Sequence, residues 1–242
     1  MIKVDFSLSV IVPVMNESAN IKDLFEEIKR VCDQVADQYE IIIVDDGSTD
    51  DSREIYKSLH PSRIVRFDRN YGQTAALACG FSLAAGDLVV SIDGDGQNVP
   101  DDIAPMIGFL STNDLDVVCG WRKNRKDNLY RRSLMWLAYL CRQIFLHDGI
   151  HDSGCTLKVF KRETLDGLIL TDGQHRFIPA VLQKRGSRVG EMVVSHRPRV
   201  FGRSKYSSSS RVFRGFQDMF SLKAGRAKRE PVHYVIKEIV EY

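Results

Sequence analysis

Along the first half of the chain, short β-branched apolar runs alternate with stretches in which apolar residues recur every three or four positions. The runs at 8–14, 40–44, 64–67, 87–92 and 116–120 read as strands buried on both faces. Between them, Ile21, Leu24, Phe25, Ile28 and Val31 mark a helix that follows the capping residues Ser18 and Asn20. A small-residue helix is expected over 74–84, and another opens at Pro100 and runs around 102–110. Such alternation predicts an α/β fold, a mostly parallel sheet with right-handed crossovers and helices on its faces.

The second half has a different pattern. A helix is predicted over 130–146, with Leu134, Leu137, Cys141, Ile144 and Phe145 on one face, widened by Trp136, Tyr139 and Leu140. Val212, Phe213, Phe216, Met219 and Phe220 form a second stripe, and Val232, Val235, Ile236, Ile239 and Val240 keep a helical period after Pro231. The expected organisation is a domain over 1–210 followed by an amphipathic, basic, helical tail over 211–242.

With 242 residues, 43% hydrophobic and 27% charged, the chain can bury a full core as one domain. A net charge of only +2 gives no bulk case for nucleic-acid binding. The basic residues are concentrated late: Arg197, Arg199, Arg203, Lys205, Arg211, Arg214, Lys223, Arg226, Lys228 and Arg229 suit an anionic ligand or a membrane surface. The two Arg-flanked, aromatic-rich helices fit an interfacial pair lying on a membrane. Five scattered cysteines without C-x-x-C spacing argue against a zinc site or a disulfide framework and for a reducing compartment. No signal peptide and no apolar run of bilayer length is visible, so a cytoplasmic protein, peripheral on the cytosolic face of a membrane, is expected.

Three predicted strand ends carry polar groups toward one cleft, the place where open α/β sheets bind ligands. They are Pro13-Val14-Met15-Asn16-Glu17, Asp45-Asp46-Gly47-Ser48, and Asp93-Gly94-Asp95-Gly96-Gln97. In the third, alternate residues project the same way, so two carboxylates and an amide can converge. Hard oxygen ligands of this kind suit Mg²⁺ or Mn²⁺ arriving with substrate phosphates.

The segments IVPVMNE (11–17), IIIVDDGSTDDS (41–52), RNYGQTAALACGF (69–81) and GDLVVSIDGDGQNVPDDI (86–103) stand in order. At this spacing the chain resembles the family-2 glycosyltransferases of the GT-A fold. The resemblance implies an enzyme that uses a nucleotide-sugar, a UDP- or GDP-hexose, with Pro13, Glu17 and Asp46 at the nucleotide. It implies a metal held by Asp95 and Gln97, with Asp93 binding it through water or holding the sugar hydroxyls. A divalent ion there acts as a Lewis acid on the leaving diphosphate.

HDSGCTLKVFKRE (151–163), HRFIPAV (175–181) and RPRVFGRSKYS (197–207) resemble the polyprenyl-phosphate branch, the dolichol-phosphate mannosyl and related glucosyl transferases. This implies inverting transfer of one hexose to a polyprenyl phosphate, undecaprenyl or dolichyl. In the loop Arg199-x-x-Gly202-x-Ser204-Lys205, a guanidinium, a hydroxyl and an ammonium suit a phosphate. Arg199 and Lys205 are thus candidate contacts to the donor diphosphate or the lipid phosphate, Ser204 to the donor, and Arg122, Arg131 and Arg132 to the lipid phosphate. The catalytic set implied is Asp93, Asp95, Asp152, Arg199 and Lys205.

No Q-x-x-R-W motif, the usual seat of a general base in family members that glycosylate hydroxyls, is present. A lipid phosphate is already anionic and needs no base. Asp152 is the one carboxylate at a position where a base would sit, and its expected task is to orient the sugar or a basic side chain. His151 and His175 are not assigned to catalysis. Many bacterial members continue into two transmembrane helices after the position of Phe220. The basic tail found here instead points to a peripheral protein that relies on a separate membrane subunit. The rival readings are a glycosyltransferase acting on a glycan or protein hydroxyl, with Asp152 as base, and a non-catalytic nucleotide-sugar-binding subunit.

Overall fold

A computed structural model describes residues 4–123, 129–198 and 230–242. The first strand, β1 (Val4–Val14), lies between β2 (Ala36–Asp45) and β4 (Leu88–Ser91), parallel to both, and β3 (Arg63–Phe67) extends the parallel run beyond β2. On the far side, β5 (Val117–Trp121) and β7 (Val189–Val193) pair parallel. They join the rest through β6 (Lys158–Lys161), antiparallel to both β4 and β5. With β8 (Ile236–Glu241), the sheet has eight strands in the order β7-β5-β6-β4-β1-β2-β3-β8.

Side-chain alternation divides the core in two. Val10, Val12, Ile41 and Ile43 face α1 (Ser18–Val35) and α4 (Ile103–Thr112), meeting Ile21, Phe25, Ile28 and Met106. Ile11, Ile42, Val44 and Val65 face α3 (Gln73–Leu83), whose alanines and Cys79 allow close approach. A short α2 (Ser52–Tyr56) links β2 to β3, and α6 (Ile178–Lys184) covers the second half of the sheet with Ile178 and Leu182. Each of these helices returns the chain to the same sheet edge, so β1, β2 and β4 all end at one mouth. All five thiols are free.

The helix expected over 130–146 is α5 (Leu129–Leu146). Its Cys141, Phe145 and Leu146 pack with Phe177 and Ala180, while Trp136 and Ile144 are each 63% exposed. Among the described residues, no helix is long and apolar enough to cross a membrane.

The chain end departs from expectation. Val232, Val235, Ile236, Ile239 and Val240 do not form a helix. Residues 236–241 are β8, antiparallel to β3, so they belong to the sheet and not to a tail. The open backbone edge of β3 gives β-branched residues a better partner than helical spacing alone would. Arg63 pairs with Glu241, and Arg66 with Glu238, holding the register. The stripe from Val212 to Phe220 lies outside the described residues.

Candidate active site

The mouth is built by three loops that hold one another. Beyond β1, the Asn16 backbone N–H donates to the Ser48 hydroxyl at 2.9 Å, and Thr49 N–H donates to the Asn16 side chain at 2.7 Å. Glu17 is buried and accepts from Asn20 Nδ2 at 2.7 Å. Pro13 lies in β1 opposite Val44, its carbonyl beneath the third loop. A Cβ on Gly94 would lie 2.9 Å from Val14 Cγ2 and 3.0 Å from the Pro13 carbonyl oxygen, so only glycine lets that loop cross so low.

At the end of β2 the two aspartates have separate tasks. Asp45 points away from the mouth, accepting from Ser48 N–H at 2.7 Å and pairing with Arg66 at 3.2 Å. Asp46 accepts from Asn70 Nδ2 (2.8 Å), Tyr71 N–H (2.6 Å) and Gly72 N–H (2.9 Å). Gly47, at φ 74°, lets the 69–70 backbone approach, since a Cβ there would lie 2.4 Å from the Arg69 carbonyl carbon. Asp46 therefore fixes the loop that starts α3.

Asp93, Asp95 and Gln97 follow β4. Asp93 is partly buried and receives Gln73 Nε2 at 2.7 Å. Burial, and next the charge of Asp95, push its carboxyl up to about 6. Gln97 N–H donates to Asp95 Oδ1 at 3.1 Å, and the Gln97 amide nitrogen donates to the Arg197 carbonyl at 3.4 Å. Arg197 N–H returns a bond to the Gln97 carbonyl at 2.9 Å, while its guanidinium grips Glu27. Among the described residues no group of three His, Cys, Asp or Glu side chains is arranged around a metal. Asp95 and the Gln97 amide oxygen offer hard oxygen donors, and the neighbouring Asp93 carboxylate adds negative charge that favours a cation there. These residues fit a divalent ion.

The second half supplies the opposite wall. Arg122 Nε and Nη2 reach Asp152 at 2.7 and 2.9 Å, and Arg122 N–H adds a contact at 3.2 Å. Glu191, on β7, accepts from the backbone N–H of His151 at 2.9 Å and of Asp152 at 2.8 Å, and contacts His151 Nδ1 at 2.8 Å. The His151 ring is stacked between Trp121 and Tyr139 of α5, with centroids 4.3 and 5.2 Å away. Lys158, 4% exposed, donates to the carbonyls of Cys155 and Ser153, and Arg142 donates to Ser153 Oγ at 2.6 Å. His175 shares a 2.7 Å contact with Thr74. Burial and then Arg176 push its imidazole down to about 3, so it stays neutral.

The sequence singled out Pro13, Glu17, Asp46, Asp93, Asp95, Gln97, Arg122 and Asp152, and all lie in these loops and walls. Arg131 and Arg132 fall near the start of α5, with their side chains outside the described residues, as are Arg199, Ser204 and Lys205 entirely. Gln73, Glu191 and Lys158 were missed. Only Gln73 left a local signal, its place at the helix start after a glycine.

Residues 9–168 match the family described as glycosyl transferase family 2. The chain belongs to that family. A relative, the dodecaprenyl-phosphate galacturonate synthase of Rhizobium johnstonii, is 39% identical over 237 residues, covering 94% of this chain and 70% of the relative. The undecaprenyl-phosphate 4-deoxy-4-formamido-L-arabinose transferase of Aeromonas hydrophila is 35% identical over 206 residues, covering 82% of this chain; the match spans 62% of that relative. Among solved structures, mannosyl-3-phosphoglycerate synthase from Rubrobacter xylanophilus aligns with a TM-score of 0.72 at 18% identity, covering 98% of this chain and 87% of that one. Glucosyl-3-phosphoglycerate synthase from Mycobacterium tuberculosis, in complex with Mn²⁺, UDP and phosphoglyceric acid, gives 0.70 at 19%, covering 91% and 79%. The fold is the GT-A fold expected for family 2.

Proposed function

We propose that this family-2 chain transfers one sugar, with inversion, from a nucleotide-sugar to a polyprenyl phosphate at the cytosolic face of a membrane. The observation that carries the reading is the state of Asp152. Both of its oxygens are engaged by the Arg122 guanidinium, which holds it as an anion and makes it a weak base toward an acceptor hydroxyl. An acceptor that arrives already ionised needs no such base. The two relatives named above carry polyprenyl phosphates in their names, which supports the same acceptor class here.

In this reading Pro13 and Glu17 line the nucleotide cleft, and Asp46 shapes it through the 70–72 loop it holds. Asp93 holds the donor sugar. Asp95 and Gln97 hold Mg²⁺ or Mn²⁺, which when bound neutralises charge on the departing diphosphate. Arg122, fixed by Asp152, and Arg131 and Arg132 on α5 receive the lipid phosphate. Arg199, Ser204 and Lys205, outside the described residues, are assigned to the phosphates on the resemblance of their loop. Trp136 and Ile144 turn α5's apolar surface toward lipid. A separate membrane subunit is a further partner.

The deciding assay offers a labelled nucleotide-sugar with a short polyprenyl phosphate and, separately, the matching polyprenol. Product from the phosphate alone is expected, lost with EDTA or Asp95→Ala. Transfer to the free alcohol, or to an oligosaccharide only, would replace this reading with hydroxyl glycosylation. A thermal-shift panel of UDP- and GDP-sugars with Mn²⁺ identifies the donor.

A further inference from the structure

The amide of Gln73 extends from the first residue of α3 to the Asp93 carboxylate, Nε2 to Oδ1 at 2.7 Å, with the Thr156 hydroxyl 3.3 Å away. An amide nitrogen only donates and an ionised carboxylate only accepts, so this contact fixes the turn of the amide and pins one carboxylate oxygen. The same helix start is held from the other side, where Asp46 accepts the Tyr71 and Gly72 N–H groups. Residues 71–73 thereby bridge the ends of β2 and β4. They tie together the carboxylates assigned above to the nucleotide end and the sugar end of the donor.

We infer that Gln73 is a positioning residue that aims Asp93 at the donor sugar, so that the start of α3 sets how much the sugar adds to nucleotide binding. The inference rests on the donor reading proposed above. The terminal torsion of an aspartate is broad and roughly two-fold. With Oδ1 committed to Gln73, that torsion is fixed and Oδ2 meets a sugar hydroxyl in one direction. Without the amide, the carboxylate keeps only the Thr156 hydroxyl as a side-chain anchor and the sugar meets a less firmly aligned acceptor, while the nucleotide contacts of the first two loops are unchanged.

The test is calorimetric titration, with Mn²⁺ present, of UDP against UDP-galacturonic acid and of GDP against GDP-mannose. The proteins are the parent chain, Gln73→Met, Gln73→Asn and Thr156→Val. For Gln73→Met, nucleoside diphosphate affinity is expected within about twofold of the parent, and nucleotide-sugar affinity is expected to fall roughly 10- to 100-fold, the scale of one hydrogen bond to a charged group. Gln73→Asn keeps the donor one methylene short and should recover part of the loss, and Thr156→Val, which removes the other hold on the same carboxylate, should shift the ratio in the same direction as Gln73→Met. An unchanged ratio in Gln73→Met overturns the inference. So does an equal fall for diphosphate and nucleotide-sugar, which marks a residue that only supports the cleft. If the parent chain binds none of the four, the donor reading itself fails and this inference with it.

Discussion

Arg122 and Asp152 meet through two parallel N–H···O bonds of 2.7 and 2.9 Å, with both side chains almost wholly out of water. Burial pushes the Asp152 carboxyl up, but the hydrogen bonds and charge of Arg122 outweigh it and hold the group below the usual carboxylate range. A depressed folded-state value means that the pair's stabilisation is present above the unfolded value near 4 and is lost as pH falls through the folded value. Between pH 5 and 9 the pair therefore does not titrate. Asp152→Asn leaves a buried guanidinium without its counter-charge. The expected loss is about 3–5 kcal/mol, read from denaturant unfolding at pH 7.5; unchanged stability would contradict the pairing.

Asp93 has the opposite sign. Its carboxyl is pushed up to about 6, so the metal-free folded protein takes up a proton there that the unfolded chain does not. Stability is greatest below about pH 4 for this group, and falls as pH rises from 4 to 6. Above that it carries a constant cost of about 3 kcal/mol. In EDTA at pH 7.5, Asp93→Asn should therefore raise the melting temperature by several degrees, while transfer is lost. At pH 4 the two proteins should melt together.

Glu191 acts on the site through the 151–152 backbone. Glu191→Ala removes the acceptor for two backbone N–H groups and the His151 ring. His151 is exposed, so water takes up its N–H and ring, and the loss falls mainly on the partly buried Asp152 N–H, at about 1–3 kcal/mol. Transfer should fall at least tenfold with the donor KM within about twofold, because the nucleotide loops lie elsewhere. Glu191→Gln, which keeps an acceptor oxygen, should lie between. A shift in donor KM alone would exclude this role.

Trp136 and Ile144 stand out from α5 without covering any of the described core. Replacing both by Glu should leave the melting temperature within about 2 °C, as exposed substitutions do. Co-sedimentation with anionic vesicles should fall more than tenfold, since each apolar side chain buried in lipid is worth about 1.5–3 kcal/mol. Equal sedimentation of parent and double variant would remove α5 from the membrane surface.

The first five strands and the three loops at their ends were legible because the pattern there is local. An apolar run that stops at Asp46 or Asp93 announces a strand end. What those carboxylates touch was not legible: Asp46 meets Tyr71 and Gly72, and Asp93 meets Gln73, across turns whose closure depends on the whole sheet. β6, only Lys158–Lys161, is too short for alternation to show, and β7 has a glycine and a glutamate within five residues. β8 was misread because Val232, Val235, Ile236, Ile239 and Val240 satisfy a helical period that the open edge of β3 overrides.

That last strand also bears on how the molecule forms. Arg63 and Glu241, ion-paired across β3 and β8, are 178 positions apart in the chain. Ile64, Val65 and Phe67 are thus made early and stand beside an open edge until β8 has emerged. Contacts of such separation are slow to close, and an unpaired strand is an aggregation surface while it waits. Pairing with β8 thus closes the edge of β3, and a chain whose last strand has not yet docked presents that edge to other chains.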